Sequence, residues 1–191
     1  MADRREAILA AARATAQAHG YAGLNFRDLG AAVGITSASI HYHFPSKAAL
    51  GAAVARRYWE DSKVRLDALW EESEDPLSCL AEYPRLFRRA LEDGNRMCLC
   101  GFMAAEHDDL PDEVRLEVRA FADVQVAWLA RMLLAAGAGE GPTVIEQKAR
   151  AIFAAVGGAQ VMARSRADIS VYDDIIAGYR ASGLLPACRD E

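Results

Sequence analysis

Apolar residues recur at every third or fourth position along most of this chain, and runs of strict apolar–polar alternation are missing. That period lines apolar groups along one side of an α-helix and does not suit a strand. Ile8, Leu9, Ala12 and Ala16 mark a first helix over residues 4–19, which Gly20 ends. Asn25 suits the N-cap of a second helix reaching residue 33, and Gly34 supplies a left-handed turn. Thr36 or Ser37 caps a short third helix, which Pro45 stops after Phe44. Ser46 opens a long fourth helix to residue 72.

Asp75-Pro76 breaks the pattern, and a fifth helix follows over residues 77–92 with Pro84 inside it. A proline there removes a backbone donor and predicts a kink. Further helices are predicted over 99–107, 112–136, 144–166 and 171–182, with a loop at 137–142. The seventh is the most regular, with Val114, Val118, Phe121, Gln125, Trp128, Met132 and Leu133 on one side. The expected fold is all-α, with nine helices and no internal repeat.

Composition adds bounds to this layout. Of the 191 residues, 52% are hydrophobic, enough for a sizeable core. No window reaches the ~18 apolar residues of a membrane span, and the N-terminus is charged rather than signal-like. The expected compartment is the cytoplasm, with the four cysteines as reduced thiols. A net charge of −5 argues by itself against a nucleic-acid partner, but its distribution reverses the argument. Residues 1–58 carry a net +4 and the remainder −9. A basic head on an acidic body suits a module that meets phosphate with one end. The expected division is a head over residues 1–50 and a body over 51–191, with the boundary inside the fourth helix.

Within the head, residues 26–47 read as two short helices joined by a tight turn, the layout of a helix-turn-helix DNA reader. Leu29, Val33, Ile40 and Phe44 are its expected core. Thr36, Ser37, Ala38 and Ser39 sit at the leading end of the recognition helix, where small side chains reach base edges and Ala38 can meet a thymine methyl. His41, Tyr42 and His43 fall at the rim, and rings there reach phosphates. Lys47 shares a phosphate with the start of the fourth helix, while Arg27 clamps the DNA backbone on the other side.

Gly34-Ile35-Thr36, followed by Ile40-His41-Tyr42-His43-Phe44-Pro45-Ser46-Lys47-Ala48-Ala49-Leu50, resembles the TetR family of bacterial repressors. Arg27-Asp28-Leu29 precedes it at the usual spacing. The resemblance covers residues 5–58; the body agrees only in length and helical layout. The family often carries tyrosine where His41 stands, whereas here the tyrosine is Tyr42. The resemblance implies a homodimer built by the last two helices, a palindromic double-stranded DNA operator and a small-molecule effector among the middle helices.

The body's own residues offer candidates for those roles. Ala151, Ala155, Gly158 and Ala159 would let a partner helix approach, beside Tyr172, Ile175, Ile176 and Tyr179. Trp70, Phe87, Phe102, Met103, Phe121, Gln125 and Trp128 are the effector-pocket candidates, although core packing is the stronger reading for most of the aromatics. Gln125 stands out as a polar residue in an apolar stripe.

Residues 96–106 resemble the cysteine-bearing segment of repressors that sense electrophiles or oxidants. A thiolate at Cys98 or Cys100 would be favoured near a helix N-terminus beside Arg96, although a pair of buried inert thiols is the stronger reading. Glu106, His107, Asp108 and Asp109 read as a solvated helix end rather than a metal site, and no cofactor is expected. A thiol enzyme using Cys98 and His107 lacks a nucleophile, acid and base at motif spacing, so no catalytic activity is expected. A DNA-binding adaptor without a ligand is the remaining rival.

Overall fold

A computed structural model describes residues 2–187 except 138 and 140, and its described residues form nine α-helices and no strand. They are α1 (Ala2–His19), α2 (Phe26–Val33), α3 (Ser37–His43), α4 (Lys47–Ser73), α5 (Pro76–Glu92), α6 (Leu99–Ala105), α7 (Asp112–Ala135), α8 (Pro142–Arg166) and α9 (Ser170–Ala181). None is long and apolar enough to cross a membrane. Cys188 and part of the expected loop at 137–142 lie outside the described residues.

Two boundaries differ from the periodic reading. The sixth helix stops at Ala105, and His107–Asp109 tighten into a 3-10 turn. Arg115 donates to the carbonyls of His107 (3.0 Å) and Asp108 (3.2 Å), which holds this turn against the start of α7. The eighth helix starts at Pro142, because a residue without an N–H suits the first helical position.

The chain divides into two compact units. One contains residues 1–61 and 98–121, the other residues 62–97 and 122–191. The unit that holds the head is therefore larger than the 1–50 span and includes α6 and the start of α7. In it α1 packs on α2 and on α6, and α2 packs on α3. Ile8, Leu9, Ala12 and Ala16 are buried on α1, as their period requires. Leu24, Leu29, Ile40, Phe44, Leu50 and Val54 join them, each removal of such a side chain from water stabilising the fold by about 1.5–3 kcal/mol. Val33 is only half-buried.

The second unit contains α5, α8 and α9, with the latter part of α7. Asp75 caps α5 by accepting from the Ser78 N–H at 3.0 Å, and Pro76 takes its first position. The helix continues through Pro84, which cannot donate to the carbonyl one turn back. Side chains from α8 and α9 donate into this stretch. The Tyr172 hydroxyl reaches the Pro84 carbonyl at 2.7 Å, Gln160 reaches that of Phe87 at 2.7 Å, and Arg180 reaches that of Ala81 at 3.2 Å.

Along α7 the buried series is Val114, Glu117, Phe121, Gln125, Trp128, Leu129 and Met132, while Val118 and Leu133 are half-buried. Glu117 is 4% exposed and was not visible in the apolar pattern. Its carboxylate accepts from Arg56 Nε (3.1 Å) and Nη2 (2.5 Å) and from Trp59 Nε1 (2.8 Å), tying α7 to α4 within the first unit.

Burial alone raises the Glu117 carboxyl, but the bonds from Arg56 and Trp59 and the Arg56 charge outweigh it and leave it below the ordinary 4.5. A carboxyl lowered on folding adds stability above its ordinary value and loses it as pH falls through the folded one. Urea titrations of the wild type should show stability falling as pH drops below 4.5, and Glu117→Gln should lose stability at neutral pH and flatten that acid limb. An unchanged acid limb in the variant would rule out this role.

Candidate nucleic-acid interface

The helix pair is built by local chemistry. Asn25 accepts from the N–H groups of Arg27 (2.8 Å) and Asp28 (3.3 Å), which fixes the start of α2. Gly34 ends α2 at φ +72°, a left-handed geometry that costs any residue with a Cβ about 1 kcal/mol or more. Its N–H bonds back to Ala31, and that of Ile35 to Gly30 at 2.9 Å. A Cβ on Gly30 would lie 2.7 Å from the Ile35 carbonyl, so the turn and α2 touch backbone to backbone.

Thr36, not Ser37, is the cap of α3. Its hydroxyl accepts from the Ser39 N–H at 3.2 Å and shares a hydrogen bond with the Ser39 hydroxyl at 2.9 Å. Phe44 is extended at φ −136°, as a residue before proline must be, and Ser46 caps α4 through the Ala49 N–H at 3.0 Å. Ile40, Leu29 and Phe44 are buried, so α3 has its other faces available.

The outward side chains are those the sequence singles out. Thr36 and Ala38 are exposed and Ser37 and Ser39 half-exposed at the leading end of α3. Tyr42 is 82% exposed, a large ring with almost no cover, and His43 meets it edge-on at 5.3 Å. His41 is exposed and packs edge-on against Phe26 at 4.5 Å. Arg27, His41 and Lys47 line one shallow cleft of about 490 Å³, with Ala22, Leu24, Asn25 and Phe26 as its remaining wall. Two permanent cations and an imidazole around an open cleft form a receptor for an anion such as a phosphodiester. Lys47 is anchored there, donating to the Ala22 carbonyl at 3.1 Å and lying 4.6 Å from the Tyr21 ring centre.

The effector-pocket candidates fall in both units. Phe102, Met103 and Phe121 belong to the first, where Met103 and Phe121 are core and Phe121 meets Tyr58 at 5.4 Å. Trp70, Phe87, Gln125 and Trp128 belong to the second. There Tyr83 stacks on Trp128 at 5.8 Å and meets Phe87 at 5.5 Å. Gln125 is 1% exposed and its amide is engaged at both ends, accepting from Tyr83 (3.0 Å) and donating to Ser62 (2.8 Å). The polar residue in the apolar stripe thus has an intramolecular explanation. A groove of about 910 Å³ between α5 and α9 is lined by Ser78, Glu82, Arg85, Arg88, Tyr172 and Arg180, among others, and by none of the candidates.

Cys98 and Cys100 are buried. Cys98 caps α6, its sulfur accepting from the Gly101 N–H at 3.4 Å and from the Tyr58 hydroxyl. Burial nevertheless pushes both thiols up, Cys100 further than Cys98, and Arg96 pairs with Asp93 at 2.5 Å. The environment disfavours the thiolate that electrophile sensing would need. Glu106 corrects another expectation. It is no solvated helix end, because its carboxylate accepts from the backbone N–H groups of Tyr21 (2.6 Å) and Ala22 (3.1 Å).

On α8, Ala151 and Gly158 are exposed and Ala155 half-exposed, next to Val161 and Met162, both well exposed. Ala159 instead faces its own unit's core, as do Tyr172 and Ile176 of α9, while Ile175 and Tyr179 are half-buried.

Comparison with known proteins agrees with this geometry. Residues 8–54 match the family described as bacterial regulatory proteins, tetR family. The chain is 31% identical over 130 residues to the HTH-type transcriptional regulator RutR of Escherichia coli K12, covering 66% of this chain and 60% of RutR. The match thus spans less than two thirds of the curated relative. Two crystal structures are similar nearly throughout. A TetR-family transcriptional regulator from Agrobacterium tumefaciens has a TM-score of 0.87 and 29% identity, over 94% of this chain and 97% of its own. A TetR transcriptional regulator from Legionella pneumophila has a TM-score of 0.85 and 27% identity, over 93% and 95%.

Thr36→Val keeps the shape of the α3 cap and removes its acceptor. It should lower stability by about 1 kcal/mol in thermal unfolding without DNA. An unchanged melting temperature would show that the Ser39 N–H does not need this cap.

Proposed function

Because the chain belongs to the tetR family of bacterial regulatory proteins, we propose that it is a DNA-binding transcriptional regulator that acts as a homodimer. The observation that carries the reading is the exposed face of α3, with Tyr42 uncovered beside a cleft lined by Arg27, His41 and Lys47. Thr36, Ser37, Ala38 and Ser39 read base edges from the leading end of α3. Arg27, His41, Tyr42, His43 and Lys47 hold phosphates and set the register. Two heads related by a two-fold axis read a palindromic operator, with half-sites about 34–36 Å apart or a multiple of that.

The regulator is a repressor, released by a small-molecule effector held in the helical body. An effector shifts the balance only as far as it binds the released form better than the DNA-bound one. The dimer forms through α8 and α9, with Ala151, Ala155 and Gly158 as the close-approach surface and Val161 and Met162 as its apolar flank. Cys98 and Cys100 are buried, with burial holding their thiols protonated, and they serve packing rather than sensing.

Repeated selection from a random-sequence duplex pool, followed by footprinting, tests the DNA reading. A two-fold-symmetric protected site supports it, and recovery of no duplex overturns it. Lys47→Ala should weaken selected and unrelated sequences alike and reduce the salt dependence by about one counterion. For the dimer, Gly158→Leu is informative, because a Cβ at Gly158 meets nothing within 4 Å in its own chain. Sedimentation should then show a dimeric wild type and a monomeric, still folded variant; a dimeric variant would exclude α8 as the contact surface.

A further inference from the structure

The turn between α1 and α2 is held from two sides. On one side the Glu106 carboxylate, at the end of α6, accepts from both the Tyr21 and Ala22 N–H groups. On the other, Lys47 in the first turn of α4 donates to the Ala22 carbonyl and rests over the Tyr21 ring. The Ala22 residue thus gives its N–H to one charged side chain and its carbonyl to another of opposite sign. Both bonds are charge-assisted, the stronger class of hydrogen bond.

The surroundings leave this carboxylate little choice of place. Gly20 turns at φ +69°, and a Cβ there would lie 2.4 Å from Glu106 Oε2, so the absence of a side chain lets the carboxylate reach the backbone. Gly51 does the same for Tyr21, whose ring would otherwise meet a Cβ at 2.7 Å. All of these residues belong to the first unit. Ala22 and Lys47 both line the cationic cleft with Arg27 and His41.

We infer that Glu106 is a positioning residue for the anion-binding cleft, acting through the Ala22 backbone to set where Lys47 presents its ammonium. It touches no DNA itself. By holding residues 21 and 22 it fixes the carbonyl on which Lys47 is anchored, leaving the ammonium's other N–H bonds for a phosphate. Any displacement of α6 then moves the anchor of a cation in the cleft. The inference rests on the DNA-binding reading above.

The test uses the full chain and a duplex selected by the wild type, with affinity read by fluorescence anisotropy. Glu106→Ala should weaken binding by about tenfold or more. Glu106→Gln, which keeps one acceptor oxygen, should recover part of that loss. In a Lys47→Ala background the same Glu106→Ala change should cost less than about twofold, because the anchored group is gone.

Hydrogen exchange in the free protein should show the Tyr21 and Ala22 amides losing protection in Glu106→Ala. If Glu106→Ala does not fold, Glu106→Gln and its Lys47→Ala double variant carry the same comparison. Wild-type affinity in the Glu106 variants, or an equal fold-loss with and without Lys47, overturns the inference. Recovery of no duplex by the wild type would instead overturn the DNA reading, and this inference with it.

Discussion

A helix that ends leaves backbone donors or acceptors with no intrahelical partner, and a fold made of helices alone must satisfy them at every end. This constraint organises the molecule more than any single apolar contact. The side chains of Asn25, Thr36, Ser46 and Asp75 each take N–H groups at a helix start. Cys98 does so with a sulfur, a weaker acceptor. Arg115 serves the 3-10 turn that follows α6, and Glu106 serves the turn after α1 from a distant part of the chain. In the second unit, Tyr172, Gln160 and Arg180 add side-chain donors to carbonyls of α5 on either side of its internal proline.

Which of these were legible in the sequence follows from their range. Asn25, Gly34 and the Pro45-Ser46 pair lie next to the groups they serve, so local patterns expose them. Helix periods, the α1 face and the outward residues of α3 are readable for the same reason. Glu106 and Glu117 are not, because their partners lie 85 and 61 positions away in sequence. A carboxylate inside an apolar stripe gives no sign of whether it meets water, a guanidinium or a backbone. Gln125 stands out in the apolar stripe, but its partners Ser62 and Tyr83 are equally remote in sequence, so the pattern alone does not separate an internal network from a ligand contact. The cysteine segment is ambiguous for a related reason. Proximity to a helix start and to an arginine favours a thiolate, whereas the depth at which Cys98 and Cys100 lie, which the sequence does not display, opposes it.

The electrostatics separate by purpose. The chain is acidic overall, with a net charge of −5. Several head arginines pair internally, Arg13 with Asp61 at 3.0 Å and Arg57 with Glu6 at 3.2 Å. Arg27 and Lys47 instead line the open cleft with His41. These side chains are thereby gathered around one cleft rather than paired with carboxylates across the head. Such an arrangement favours a defined docking pose over general adhesion.

The bonds that Glu106 makes go to main-chain groups, and this has a consequence for how the family position can drift. A side chain that grips another side chain constrains both letters of the sequence. One that grips backbone N–H groups constrains itself and the space it occupies, here the bare Gly20, while the alanine at 22 is interchangeable as far as the grip is concerned. Substitutions can therefore accumulate at Ala22, on the wall of the cleft, without severing the link to α6. The wall of the cleft is left open to mutation while the connection behind it holds.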